Sequence, residues 1–415
     1  MDDRGADVGN PWMLRATSLL LTTLLLATCA SPDCATWNTG AFFKAATPGD
    51  TRACLQAGAD VMVRDSAGLT PLHLAAAWSE HPGVVKAVVE AGADIDAMDS
   101  YFGTSAMHRA PLDMAARYNG NPQVALVLLG AGARAEVRHL LGAAIFNENP
   151  EVALTFVRAG VDVDATNPEG STALSLAARS NENPEMVVAL MRAGADLDAR
   201  ASHLDEAPLH LAAANNENPE VALALVNGGS DVNVENGHGD TPLLRALHAN
   251  WNPGMALALI EAGADVNARE LATSGAPLHS AASFGHGPEV AAALIQAGAD
   301  VNARNATGAT PLHLAANTEN TDILNVLLEA GADVSVRDYN GRTPLEAAED
   351  AGSSGAAALL RQASVQGSQA RCAGASRAHR APLPRPPRTA WGAGAWPGRS
   401  LRRSIPGGAP LRIRR

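Results

Sequence analysis

An all-α repeat solenoid, built of stacked helix-turn-helix units joined by hairpin-like loops, is the fold this sequence predicts, and three observations carry the prediction. A glycine in A-G-A-D-like segments recurs at Gly58, Gly92, Gly132, Gly160, Gly194, Gly229, Gly263, Gly298 and Gly331, eight intervals over 273 residues, about 34 each. Within the unit from Asp300 to Asp333, Thr310-Pro311 is a helix start, because Pro suits the first helical position and Thr can cap it. Ile323, Leu324, Leu327 and Leu328 then form an apolar stripe of helical period, closed by Gly331 at a position suited to the left-handed conformation.

Each residue type in the unit has a mechanical place. Leu312 and Leu314 are expected to point into the stack, and Ala315 and Ala316 are small enough to let a neighbouring helix approach. A single unit cannot bury its own leucines, so the units must lie side by side. T-P-L-H-x-A is intact at Thr70 to Ala75 and at Thr310 to Ala315, and degraded around Leu112, Leu174, Leu209, Leu243, Leu278 and Leu345. With a period of 33 to 34 residues, the chain resembles the ankyrin-repeat family. The resemblance implies an ankyrin solenoid that binds a partner protein through its concave face and hairpin tips, and it implies no enzyme activity and no cofactor.

Along the chain, the expected order is a signal peptide over 1–30, N-terminal capping helices over 35–64, about nine repeats over 65–363 and a tail over 364–415. Leu19 to Leu26 is a short apolar core too short to span a membrane as a permanent helix, and Met13 is an alternative start. Leu26-Ala27-Thr28-Cys29 is similar to a bacterial lipobox, so two routes are open: a lipid on Cys29, or cleavage after Ala30. Both place the protein outside the cytoplasm, periplasmic or lipid-anchored in a bacterial cell envelope, with that lipid as its one membrane contact. Cys34 precedes the first expected capping helix, Trp37 to Ala46, and Cys54 lies in the middle of the second, Thr51 to Ala57; they are either a disulfide that staples the end of the stack or two core thiols.

Trp37 to Phe43 (W-N-T-G-A-F-F), together with the N-E-N-P segments at Asn147, Asn181 and Asn216, resembles a group of exported bacterial ankyrin proteins. In each N-E-N-P turn the second Asn caps the helix opened by Pro, and the first Asn is expected in the left-handed position that closes the preceding helix. A loop of four with one carboxylate falls short of the six to eight oxygens that calcium takes.

Irregularities point to the partner site. The distance from the repeat glycine to the P-L-H leucine is 14 or 15 residues in most units, 20 from Gly92 to Leu112 and 8 from Gly132 to Leu140. A long finger over Ser100 to His108 thus stands beside a shortened one, and it carries Tyr101, Phe102, Met107 and His108 either as contact surface or folded into the gap as local core. Aligning the second-helix prolines puts Trp78, Tyr118 and Phe146 in one column at the end of the first helix, as binding anchors or as packing between turns. These seven residues are the candidate partner site.

Chemistry is argued against. His73, His210, His279 and His313 all occupy the H of P-L-H, one repeat apart, and helices 8 to 10 Å apart cannot share an ion that needs nitrogens at about 2 Å. His238, His248 and His286 are assigned to loops with no cysteine nearby, and no nucleophile elbow, phosphate loop or H-E-x-x-H is present. Residues 366–415 hold eleven Arg and no Asp or Glu, leaving 20 basic against 43 acidic residues before them, which argues against nucleic-acid binding by the repeats. The tail lacks periodicity and is expected to be disordered, either as a native anion-binding segment or as a product of an altered reading frame. The alternative to an envelope scaffold is a secreted effector-like factor that binds proteins of another cell.

Overall fold

The computed structural model describes residues 33–99, 109–201 and 204–365, and every structural statement below concerns these. All but Val365 belong to the first of two units into which the chain divides, Met1–Ser364 and Val365–Arg415. The expectations for the leader, for Cys29, for the finger and for the Arg-rich tail fall outside the described residues.

After a short turn at Cys34–Thr36 the chain forms α1 (Gly40–Ala45) and α2 (Pro48–Gln56). Eight helix pairs follow: α3 (Pro71–Trp78) and α4 (Pro82–Glu90), α5 (Pro111–Tyr118) and α6 (Pro122–Gly130), α7 (Val137–Phe146) and α8 (Pro150–Arg158), α9 (Ala173–Ser180) and α10 (Pro184–Arg192). They continue with α11 (Pro208–Asn215) and α12 (Pro219–Asn227), α13 (Pro242–Ala249) and α14 (Pro253–Glu261), α15 (Pro277–Phe284) and α16 (Pro288–Gln296), α17 (Pro311–Asn317) and α18 (Thr321–Glu329). The last described pair is α19 (Pro344–Ala351) and a helical run over 354–365. From α3 on, first helices pack on first helices and second on second, so one core runs the length of the stack. No strand occurs among the described residues, which hold one isolated bridge, Ala201 to Glu206.

The first helices approach closely because their interiors are alanine. Ala75 and Ala76, Ala143 and Ala144, Ala177 and Ala178, and Ala315 and Ala316 are all fully buried, and no side chain at these positions holds the next helix away. The second helices supply the larger apolar groups, such as Val84, Val152, Leu190 and Ile323, all fully buried. Leu312 is buried as expected, whereas Leu314 is half-buried at the edge of the stack. Each repeat glycine stands in the left-handed half of backbone space; Gly194, at φ 96°, and Gly331, at φ 87°, are representative.

Among the described residues the first pair packs on one side only, against the second, and aromatic packing fills its interior. Trp37, Phe42 and Phe43 form a buried cluster with ring centroids 5.0 to 5.4 Å apart, and the Trp37 indole N–H donates to the Asp60 carbonyl at 3.0 Å. Cys34 and Cys54 are joined by a disulfide across Cα atoms 5.4 Å apart, and Cys54 is buried in the same cluster.

Two local expectations need correction. Thr310 does not cap its helix through a backbone N–H; its hydroxyl lies 2.9 Å from His313 Nδ1, which also accepts the Thr310 N–H at 3.2 Å. Having a ring nitrogen three residues on, the hydroxyl has a nearer partner than the amides. The first Asn of the N-E-N-P turn is not left-handed: Asn147, Asn181 and Asn216 have φ from −98° to −85° and extended ψ. They are held extended because their side chains are drawn inward, as the site shows.

Candidate protein-interaction surface

The turns between paired helices are tied into a ladder of asparagine side chains. The buried Asn181 amide donates to the carbonyls of Ala144 and Asn147, both at 2.9 Å, in the preceding repeat, and its own oxygen accepts the Asn183 N–H at 2.9 Å. Asn119, Asn147, Asn216 and Asn250 repeat this arrangement, each reaching one repeat back. A second, outer row does the same through the helix-capping asparagines: Asn183 Nδ2 donates to Glu148 O at 2.6 Å, Asn218 to Glu182 O at 2.7 Å, and Asn252 to Glu217 O at 2.7 Å. Carbonyls at the end of each first helix, otherwise orphaned, thereby gain donors. Further along, His286 Nε2 on Leu247 O and Thr318 Oγ1 on Ala282 O take over the role.

This ladder positions the aromatic column. Trp78, Tyr118 and Phe146 each stand immediately before a ladder residue, and are 44%, 44% and 53% exposed. Trp78 and Tyr118 stack at 6.3 Å between centroids with planes 18° apart. On its other side Trp78 lies over Gly40, where an added Cβ would come within 3.1 Å of the ring. The Arg117 guanidinium sits 5.0 Å from the Phe146 ring centre, a cation on an aromatic face. The three rings line a cleft of about 250 Å³. Of the other four candidates, Tyr101, Phe102, Met107 and His108, none is among the described residues.

The shortened loop is visible. After Gly132 the chain enters α7 at Val137, and the H position is taken by His139, whose Nδ1 accepts the Glu136 N–H at 3.0 Å. Elsewhere the ring crosses to the next repeat: His73 Nε2 meets Arg109 O at 2.9 Å, His210 meets Asp240 O at 3.0 Å, His279 meets Ala309 O at 3.2 Å and His313 meets Arg342 O at 3.0 Å. At Nδ1 each of these four rings accepts the N–H of the residue three before it (Thr70, Ala207, Ala276 and Thr310), and a nitrogen that accepts from a backbone N–H carries no proton, so each is the neutral Nε2–H tautomer and links two repeats. Burial pushes all five histidines below their usual pKa.

One polar cluster invites a catalytic reading. His248 is not in a loop: it lies in α13, and its Nε2 is 3.0 Å from Glu270 Oε1 and 3.1 Å from the buried Ser280 Oγ. Glu270 also accepts from Thr273 Oγ1 at 2.5 Å, and the His248 hydrogen bond chiefly holds its carboxyl below the usual range. A relay needs hydroxyl and carboxylate on opposite ring nitrogens, whereas here both share one. The cluster fastens a one-residue-longer loop to α13 and α15. Among the described residues no group of three or more His, Cys, Asp or Glu could hold a metal ion, and no helix is long and apolar enough to cross a membrane.

Two surface features escaped sequence reasoning. Trp251 is 73% exposed in an N-W-N-P turn, stacked 5.9 Å from His286; its signal was the tryptophan standing where Glu stands in N-E-N-P. Tyr339, 72% exposed at a hairpin tip with Arg304 over its ring, had no periodic signal.

Stacked helix pairs cross-linked at every turn, with aromatics on the outside, define a helical-repeat scaffold whose surface is its working part. The sequence profile described as "Ankyrin repeats (3 copies)" matches residues 42–139, 112–201, 140–236, 181–270, 209–305 and 278–369, a continuous span from 42 to 369, and the chain belongs to the ankyrin-repeat family. Among 508 matching solved chains is the ankyrin repeat domain of Bcl-3, described as a unique member of the IkappaB protein family. It is 26% identical, covers 55% of this chain and 99% of its own, and has a TM-score of 0.47. A search of curated proteins finds no match.

Proposed function

We propose that this chain is an exported, non-enzymatic scaffold that holds a partner protein against the ends of its first helices and its hairpin tips. The observation that carries the reading is the exposed column Trp78, Tyr118 and Phe146 in three successive repeats. Large half-exposed aromatics in a rigid row are what a protein contact uses as anchors, since they supply area with few rotatable bonds. Ankyrin repeats are generally protein-interaction modules, and the one His-Glu-Ser cluster has no relay geometry. Export is supported by the apolar run Leu19 to Leu26 and by the Cys34–Cys54 bridge, since disulfides persist in oxidising compartments.

Crosslinking in intact cells followed by mass spectrometry tests the reading. Wild type is expected to trap a defined partner that the Trp78→Ala, Tyr118→Ala, Phe146→Ala triple variant loses while keeping its helical spectrum. An unchanged set of partners in that variant would place the site elsewhere. Fractionation distinguishes an envelope scaffold, retained with the cells, from a factor released to the medium.

A further inference from the structure

We infer that the partner is gripped through a basic extended segment lying across the inter-helix turns, with one lysine or arginine side chain seated between Glu148 and Glu182. The inference rests on the protein-binding reading above and adds the chemistry of the partner.

The aromatic cleft does not end at Phe146. A second cleft of about 500 Å³ lies between the turns of adjacent repeats, with Glu148 and Glu182 in its lining, and it shares Phe146, Asn147 and Glu148 with the first. The groove thus has an aromatic end and an acidic end. At the aromatic end Arg117 already covers Phe146, so an apolar side chain fits there rather than a second cation.

The carboxylates are outside the turn's own economy. In each N-E-N-P turn both asparagines are engaged by the ladder, and the Glu contributes only its backbone carbonyl, which accepts from the next capping Asn. Glu148, Glu182 and Glu217 are exposed, and among the described residues none makes an ion pair. The surroundings add to their potential: residues 33–365 hold 40 Asp and Glu against 18 Lys and Arg. Of the nearby cations, Arg117 in the aromatic cleft is engaged on Phe146, Arg138 pairs with Asp113 and Glu136, Arg158 pairs with Glu151, and the exposed Arg179 lies at the end of α9, three residues before Glu182. At the next turn Trp251 stands in the Glu position, so the acidic row ends in another exposed aromatic.

Spacing decides what fits. Neighbouring helices in a stack are about 8 to 10 Å apart, and three residues of an extended or polyproline chain advance about 9 to 10 Å. Only the polyproline chain, with three residues per turn, keeps every third side chain on one face, so a segment in that conformation with Lys or Arg at every third position places one cation per repeat. A helical ligand, at about 1.5 Å per residue, would need six or seven residues for the same step, about twice the chain per cation.

The test uses the full chain and a labelled peptide, acetyl-Leu-Pro-Pro-(Lys-Pro-Pro)3-amide, with its Lys-to-Glu counterpart and an isomer with lysine at every second position. Wild type is expected to bind the first at least tenfold more tightly than either control, with affinity falling as salt rises. The Glu148→Gln, Glu182→Gln, Glu217→Gln variant is expected to lose at least tenfold, with its fold intact because the ladder uses only the backbone of these residues. Equal or absent binding of the three peptides to wild type, or an unaltered affinity in the Gln variant, overturns the proposal. Crosslinking separates its failure from that of the scaffold reading. A partner lost with the aromatic variant but kept by the Gln variant sinks the basic segment alone, and a partner kept by both sinks both.

Discussion

The side-chain amide of Asn216 donates to the backbone carbonyl of Asn181 at 2.9 Å, and Asn181 in turn donates to Asn147, so that a buried chain of amides runs through successive turns. Each link satisfies two carbonyls of the preceding repeat while the side-chain oxygen accepts the N–H two residues on. Leaving buried carbonyls unpaired costs about 1 to 3 kcal/mol each. Asn181→Ala is therefore expected to lower stability by about 2 to 4 kcal/mol, against about 1 kcal/mol for Asn183→Ala, a helix cap in the exposed row. Equal urea midpoints for the two variants would remove the ladder as a source of stability.

Gly194 has φ 96° and open space where a Cβ would point. The cost of Gly194→Ala is then purely conformational, about 1 to 2 kcal/mol. Alanine at Gly49, whose φ is not positive and whose nearest neighbour to an added Cβ is 3.6 Å away, should cost much less. Chemical denaturation of the two variants compares them directly.

The buried histidines make stability depend on pH with a defined sign. His73, His139, His210, His279 and His313 are held below their ordinary pKa by burial, so the folded chain resists their protonation. The unfolded chain takes up those protons near the ordinary value of about 6.5. Unfolding below that pH absorbs protons, so this stability is full above about pH 6.5 and is lost as pH falls from there towards the folded values. Denaturation midpoints should change little from pH 7.5 to about 6.5 and decline from there to pH 5.5. A flat profile would mean that the rings titrate freely in the fold.

The bridge joins residues 20 apart at the first described helix pair. In the chain-entropy account that is worth about 3 kcal/mol. Intact mass should rise by two hydrogen atoms on reduction under denaturing conditions, as the disulfide becomes two thiols, and Cys34→Ser with Cys54→Ser should loosen the Trp37 cluster first. Hydrogen exchange over α1 and α2 would register this, and unchanged protection there would show the staple to be idle.

Sequence alone determined the period, the solenoid and the assignment of each repeat glycine, because these depend on local rules. A leucine stripe with no partner must stack, a helix must be stopped, and proline fits only where a helix begins. Sequence also marked Trp78, Tyr118 and Phe146 as one column, since helical register is local too. Tertiary structure decided the rest, because it concerns atoms one repeat apart that no stretch of chain contains. The first Asn of N-E-N-P read as a left-handed stop from its own neighbours, yet carbonyls about 35 residues upstream hold it extended. His248 read as a loop residue, yet it lies on a helix facing Glu270. With both asparagines of the turn engaged by those distant carbonyls, the intervening carboxylates are turned out to solvent, an arrangement written in the stack and not in the motif.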